Sequence, residues 1–169
     1  VDATLDRMTK NTWTRRDRAA FRAMYLRLRR FAGAVGPWEV EPEDLLQEAL
    51  VRALERGPLS RLDHPEAYLR RTIVNLSHNY VRRRYGAERA NTAMAAAAPH
   101  DEMPGYPSDL ADLLSLDPVA RAVLYLHDVE RYSFPEVATA LNLPAGTCRQ
   151  IASRSRRRLR IQLQQEVEE

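Results

Sequence analysis

Residues 133–160 read SFPEVATALNLPAGTCRQIASRSRRRLR, and the rest of the chain is best read outward from this stretch. Ser133 is placed to cap a helix, and Glu136 three residues on completes a capping box. Tyr132 and Val137 stand where a hydrophobic staple belongs. The helix is expected to stop at Asn142, with Pro144 and Gly146 in the turn. Thr147 is then expected to cap a second helix, with Gln150 at the matching position. From Thr147 to Arg160 there are six arginines and no acid. Two short helices joined by a tight turn, the second one cationic, form a helix-turn-helix suited to a DNA major groove. Arg149, Gln150, Ser153 and Arg154 occupy the first turns of the second helix, which meet base edges in such motifs. Arg156, Arg157 and Arg158 follow along the backbone. An arginine cluster pairing with acids or with a protein is the plainer alternative. Cys148 faces inward in this register, as a buried thiol.

The whole chain has 169 residues, with 26 basic against 23 acidic side chains, a formal charge of +3 and a pI near 9.3. Segregation of charge therefore says more than its sum. Lys10 is the only lysine. One cysteine leaves no internal disulfide and no zinc site of several thiolates. There is no apolar run of 18 residues and no signal-peptide pattern, so a cytoplasmic protein is expected. No phosphate-binding glycine loop, HExxH, GxSxG or paired-carboxylate cleft is present, and neither an enzyme nor a cofactor nor a small-molecule substrate is expected. The histidines His64 and His78 lack companions at metal-site spacing.

Apolar periodicity is helical almost throughout, and strand-type alternation is missing. A first helix starts near Thr14 with Ala20, Phe21, Met24, Tyr25 and Leu28 inward. A second runs from Pro42 to about Glu55, with Leu45, Leu46, Ala49, Leu50, Ala53 and Leu54 inward. Gly57 and Pro58 end it. A third runs from Pro65 to about Arg84, its inward stripe formed by Leu69, Thr72, Ile73, Leu76 and Tyr80. The loop before it, Gly57 to His64, has the composition of a mobile segment. Residues 87–110, rich in alanine and proline, read as a flexible linker. Asp117 then caps a helix that has Pro118 at its first position, with Val119, Ala122, Val123 and Leu126 inward. The expected fold is all-α: a helical bundle over 1–86, the linker, and a helix-turn-helix unit over 111–169.

Two further faces are candidates. Asp44, Gln47, Glu48, Arg52 and Glu55 line the polar side of the second helix, either as a solvated face or as a docking surface for a partner helix. On the third helix, Arg71, Asn75, His78 and Arg82 share one face, flanked by Asn79 and Arg83. Arginines suit phosphates and asparagine suits a base edge, while a solvated helix face is again the plain alternative.

Taken together, the chain resembles the extracytoplasmic-function (group IV) sigma factors of bacterial RNA polymerase, in the sigma-70 family. DRAAFRAMY from Asp17 is similar to the family's opening helix. EPEDLLQEALVRALER is similar to its polymerase-binding stretch, HPEAYLRRTIVNLSHNYVRRR to its minus-10 segment, and residues 116–160 to region four. The resemblance implies that Asp44, Gln47, Glu48 and Arg52 meet core polymerase. It implies that Arg71, Asn75, His78, Asn79, Arg82 and Arg83 handle the opened minus-10 strand, and that Thr147, Arg149, Gln150, Ser153, Arg154 and Arg157 handle the minus-35 duplex. Implied partners are core RNA polymerase (beta-prime clamp and beta flap), promoter DNA and a separate anti-sigma factor. This sequence departs from the family's usual residues at Cys148, Ile151 and Ala152. A stand-alone helix-turn-helix regulator is the competing reading.

Overall fold

The computed structural model describes residues 14–92 and 113–167. Among these residues every regular element is helical. Helix α1 (Arg15–Val35) starts at a capping box in which the Asp17 amide donates to Thr14 Oγ1 and the Thr14 amide donates to Asp17 Oδ2 at 3.0 Å. Its buried side chains, Met24, Leu28, Phe31, Ala32 and Val35, recur at helical spacing. Helix α2 (Pro42–Arg56) begins with proline at its first position, and Glu43 and Asp44 in the first turn complement the helix dipole. Leu45, Leu46, Ala49 and Ala53 are its buried stripe, and it ends at Gly57, whose φ of 137° a side chain would resist.

The segment after α2 differs from the mobile loop expected. Leu59 is fully buried in a single 3₁₀ turn, Leu59–Arg61, and the Ser60 amide donates to Asp17 Oδ1 at 2.9 Å. One carboxylate thus caps α1 and anchors the loop. Helix α3 (Pro65–Thr92) continues past the expected end near Arg84 and through the first residues of the expected linker. No proline or glycine pair interrupts Ala87–Thr92, and alanine favours propagation. The linker residues 93–110 otherwise lie outside the described residues. Leu69, Ile73 and Leu76 are buried as expected, but Tyr80 is 42% exposed.

Helix α4 (Pro118–Leu124) is capped by Asp117, whose Oδ1 accepts from the Val119 amide at 2.8 Å. It widens into a π-helical turn, Tyr125–Val129, and Arg131 follows with a φ of 63°. Helix α5 (Phe134–Leu141) opens with the Ser133–Glu136 capping box and closes on Asn142 in the left-handed region. Helix α6 (Ala145–Val167) begins two residues before Thr147. The Cys148 amide donates to Pro144 O at 3.0 Å, so Pro144 precedes the first turn and Thr147 lies inside it. Gly146 has no positive φ and is drawn into the helix, which is why the expected Thr147 cap is not made.

The two helical units pack on each other. Their buried apolar side chains form one cluster, from Met24 through Ile73 to Ala152. Helices α1 and α3 lie against α4, and α3 also meets α5. The turn between α1 and α2 is part of this arrangement. A Cβ on Gly36 would stand 2.6 Å from Leu45 Cδ1 and 2.7 Å from the Ala32 carbonyl oxygen. The leucine can turn aside, but the carbonyl is backbone. Gly36→Ala is therefore expected to cost roughly 1–3 kcal/mol, as overpacking does. A urea midpoint equal to that of the parent chain would show that α1 ends with more slack than this geometry allows.

Candidate nucleic-acid interface

The candidate reading helix is α6. Cys148, Ala152 and Ser155 are buried at i, i+4 and i+7, with Leu159 half-buried one step on. This stripe seats the helix and leaves Arg149, Gln150, Ser153, Arg154 and Arg157 exposed on other faces. Helix α6 packs against both α4 and α5. Burial pushes the Cys148 thiol pKa up, which leaves it a packing group rather than a nucleophile. Arg149, Arg154 and Arg157 have no ionic partner among the described residues. Arg156 does have one, since its Nε lies 3.3 Å from Asp128 Oδ2 in the π turn. Thr147 is half-buried in the first turn, where backbone amides lack intrahelical acceptors and suit an anion.

On α3, Asn75, His78, Arg82 and Arg83 are exposed, while Arg71 and Asn79 are half-buried. They share one continuous helix as the sequence requires. His78 Nε2 lies 3.8 Å from Asp117 Oδ2, so this candidate residue abuts the cap of α4. On α2, Asp44, Gln47, Glu48 and Arg52 are all exposed. Glu48 accepts a 2.6 Å bond from Arg52 one turn on, whereas Asp44 has no cationic partner among the described residues. Glu43 beside it is engaged by Arg29, which holds that carboxyl below its ordinary range.

Four charged residues that sequence reasoning missed, Glu66, Arg70, Arg121 and Glu130, lie between the two units. Arg70 is 1% exposed and pairs with Glu66 on its own helix and with Glu130 beyond the π turn. Burial raises the Glu66 pKa, and the bonds from Arg27 and Arg70 outweigh it, giving a net lowering. Arg121 is also buried and donates only to Gly36 O, at 2.9 Å; burial pushes its pKa down to about 10. The Glu66–Arg70 spacing was visible as an i, i+4 pair. Glu130, sixty positions further along, carries no local signal that it belongs with them. No group of three or more potential metal ligands occurs among the described residues, and no helix there is long and apolar enough to cross a membrane.

Comparison with known proteins shows the family. Residues 20–86 match sigma-70 region 2, and residues 113–159 match sigma-70 region 4. The chain belongs to the sigma-70 family, within its extracytoplasmic-function group. It is 34% identical over 142 residues to the RNA polymerase sigma-E factor of Streptomyces avermitilis, covering 81% of this chain and 79% of that one. It is 30% identical to the ECF RNA polymerase sigma factor SigE of Mycolicibacterium smegmatis, covering 94% of this chain and 64% of that protein. A probable ECF sigma factor SigI of Mycobacterium tuberculosis is 29% identical, and the chain spans 45% of its length. Among solved structures, the sigma factor RpoE of Bartonella quintana, crystallised with the anti-sigma factor NepR, has the same fold. Its TM-score is 0.63 at 21% identity, over 89% of this chain and 98% of that one.

Proposed function

We propose that this sigma-70 family chain, a transcription initiation factor, binds core RNA polymerase through α2 and reads a two-part promoter through α3 and α6. Asp44, Gln47, Glu48 and Arg52 meet the beta-prime clamp, and region four meets the beta flap. Asn75, with Asn79 beside it, takes an unstacked base of the opened minus-10 strand. Arg71, His78, Arg82 and Arg83 hold the adjoining backbone. Unstacking a base costs a few kcal/mol, which these strand contacts must offset. Arg149, Gln150, Ser153 and Arg154 face base edges of the minus-35 duplex, while Thr147 and Arg157 hold phosphates. The chain positions and opens DNA, and the chemistry of RNA synthesis belongs to the polymerase. A separate anti-sigma protein is the expected negative regulator.

The observation that carries this reading is the acid-free run from Thr147 to Arg160, with its arginines exposed, on a helix seated by Cys148, Ala152 and Ser155. The test is run-off transcription with purified core polymerase, with and without this chain, on fragments recovered by footprinting. Specific initiation that depends on the chain is expected. Duplex binding with no affinity for polymerase would favour a stand-alone regulator instead. Asp44 supplies a narrower check. Its side chain is exposed and has no cationic partner among the described residues, so Asp44→Ala should lower stability by no more than its dipole contribution, about 0.3–1 kcal/mol. Polymerase binding should weaken by about 1–2 kcal/mol, the range of a contributing interface residue. Equal affinity of the two proteins would remove α2 from the polymerase contact.

A further inference from the structure

Helix α6 carries six arginines, and among the described residues Arg156 is the one that meets an acid. It donates through Nε to Asp128 Oδ2 at 3.3 Å and through Nη2 to Asp128 Oδ1. Both side chains are 43% exposed, so the pair stands at the surface within reach of a ligand. Asp128 belongs to the π turn Tyr125–Val129. That turn is anchored by the neighbouring residue: His127 Nδ1 lies 2.7 Å from the Tyr132 carbonyl oxygen, and its ring stacks on Phe134 with centroids 4.1 Å apart. The turn therefore brings the carboxylate to α6 without depending on the arginine.

Arg149, Ser153, Arg156 and Arg160 recur at i, i+4, i+7 and i+11 and are all exposed, so they form one flank of α6. Arg149 and Ser153 are base-edge candidates, and a duplex read by them runs its backbone toward Arg156. The carboxylate takes the Nε–Nη2 edge of the guanidinium, a planar fork with which arginine also grips a phosphate. Asp128 thus occupies the place that a DNA phosphate would take. We propose that Asp128 is a positioning residue for Arg156 that sharpens duplex specificity: it stands in for a phosphate and withholds one positive charge from sequence-independent binding. This inference rests on the duplex-reading role of α6 proposed above.

Sequence-independent binding comes from phosphate contacts and the counterions they release. With Asp128 on Arg156, one such contact is withheld from a loosely held duplex. A duplex seated in register by base edges at Arg149, Ser153 and Arg154 keeps a phosphate beside Arg156 and displaces the carboxylate. An exposed ion pair adds little to stability, so this exchange costs little. A negative charge beside the backbone also disfavours the wrong docking, which is how specificity is gained without a new attractive contact.

Asp128→Asn keeps the shape of the side chain and removes its charge. Fluorescence anisotropy on the full chain compares a scrambled duplex with an upstream-element duplex recovered by footprinting. At about 50 mM salt the variant should bind the scrambled duplex about threefold or more tightly than the parent does. Its plot of log affinity against log salt should be steeper by about 0.9, the value of one added phosphate contact. The recovered duplex should gain less, so the ratio of the two affinities falls. In an Arg156→Ala background the same change should give a smaller gain and no steeper slope. Unchanged or weaker binding of the scrambled duplex would overturn the proposal, and so would an equal gain on both duplexes. The same gain and steepening in the Arg156→Ala background would overturn it too, because Asp128 would then act by its own charge and not through Arg156. Circular dichroism checks that the helices are kept; should Asp128→Asn lose them, Asp128→Ala carries the same expectations. A parent chain with no preference for the recovered duplex would sink the promoter reading and the specificity role together. The scrambled duplex then still decides whether Asp128 restrains Arg156.

Discussion

Arg154→Ala is expected to weaken binding of a minus-35 duplex by roughly 1–3 kcal/mol, about 5- to 150-fold, the range for losing one base-edge contact. The argument begins with the seat of α6. Cys148 and Ala152 are fully buried, and that fixes which way the neighbouring turns point. Arg154, two positions beyond Ala152, is exposed and has no ionic partner among the described residues to give up before meeting DNA. Arg156 must first release Asp128, so Arg156→Ala should cost less. Fluorescence anisotropy at fixed salt measures both. Loss of affinity confined to the specific duplex marks a base contact. An equal loss on a scrambled duplex, with a shallower salt dependence, would reassign Arg154 to the phosphates.

The largest effect on stability is expected at Asp17. Its carboxylate is fully buried, bonded to the Thr14 hydroxyl and amide, and it accepts from Ser60 in the turn below. Asp17→Ala leaves Thr14 as the cap but removes the reciprocal half of the capping box, the bond from the Thr14 amide, worth about 1 kcal/mol. It also breaks the part-buried bond from the Ser60 amide, and a hydrogen bond to a charged group contributes about 1.5–3 kcal/mol. A total near 2–4 kcal/mol at pH 7 follows, measurable by urea unfolding. The pH dependence has a definite sign. Burial pushes the Asp17 pKa up, but the bonds from Thr14 and Ser60 prevail and hold it below its ordinary 3.8. A depressed carboxylate contributes fully above its unfolded pKa, and that contribution is lost as pH falls through the folded value. The gap between parent and variant should therefore be widest at neutral pH and shrink below about pH 4. A gap that stays constant down to pH 2 would mean that Asp17 acts through packing rather than charge.

The elements differ in how far they could be read from sequence. Three helix starts were legible from signals lying within four residues. Thr14, Ser133 with Glu136, and Asp117 with Pro118 all start helices as their spacing implies. The start of α6 was misread because Gly146 signals a turn as readily as it tolerates a helix, and the Cys148–Pro144 backbone bond decided between them. The loop at Leu59–Arg61 was misread for another reason. Its composition is that of a mobile segment, yet Asp17, forty-three positions earlier, ties it down. Tyr80 stands at an inward position by period alone, but it is left exposed.

Helix positions, the acid-free run on α6 and the shared face of Arg71, Asn75, His78 and Arg82 belong to the sequence by itself. They depend on local hydrogen bonding and on a fixed period of 3.6 residues. Their family likeness was readable for the same reason, since its motifs are short and contiguous. The docking of one half on the other was decided only by tertiary structure. A buried guanidinium between Glu66 and Glu130, and a π turn that aims the second of them, depend on groups far apart in the chain meeting in a low-dielectric seam. Whether such charges are buried or solvated is settled by the packing around them, and no periodicity along the chain encodes it.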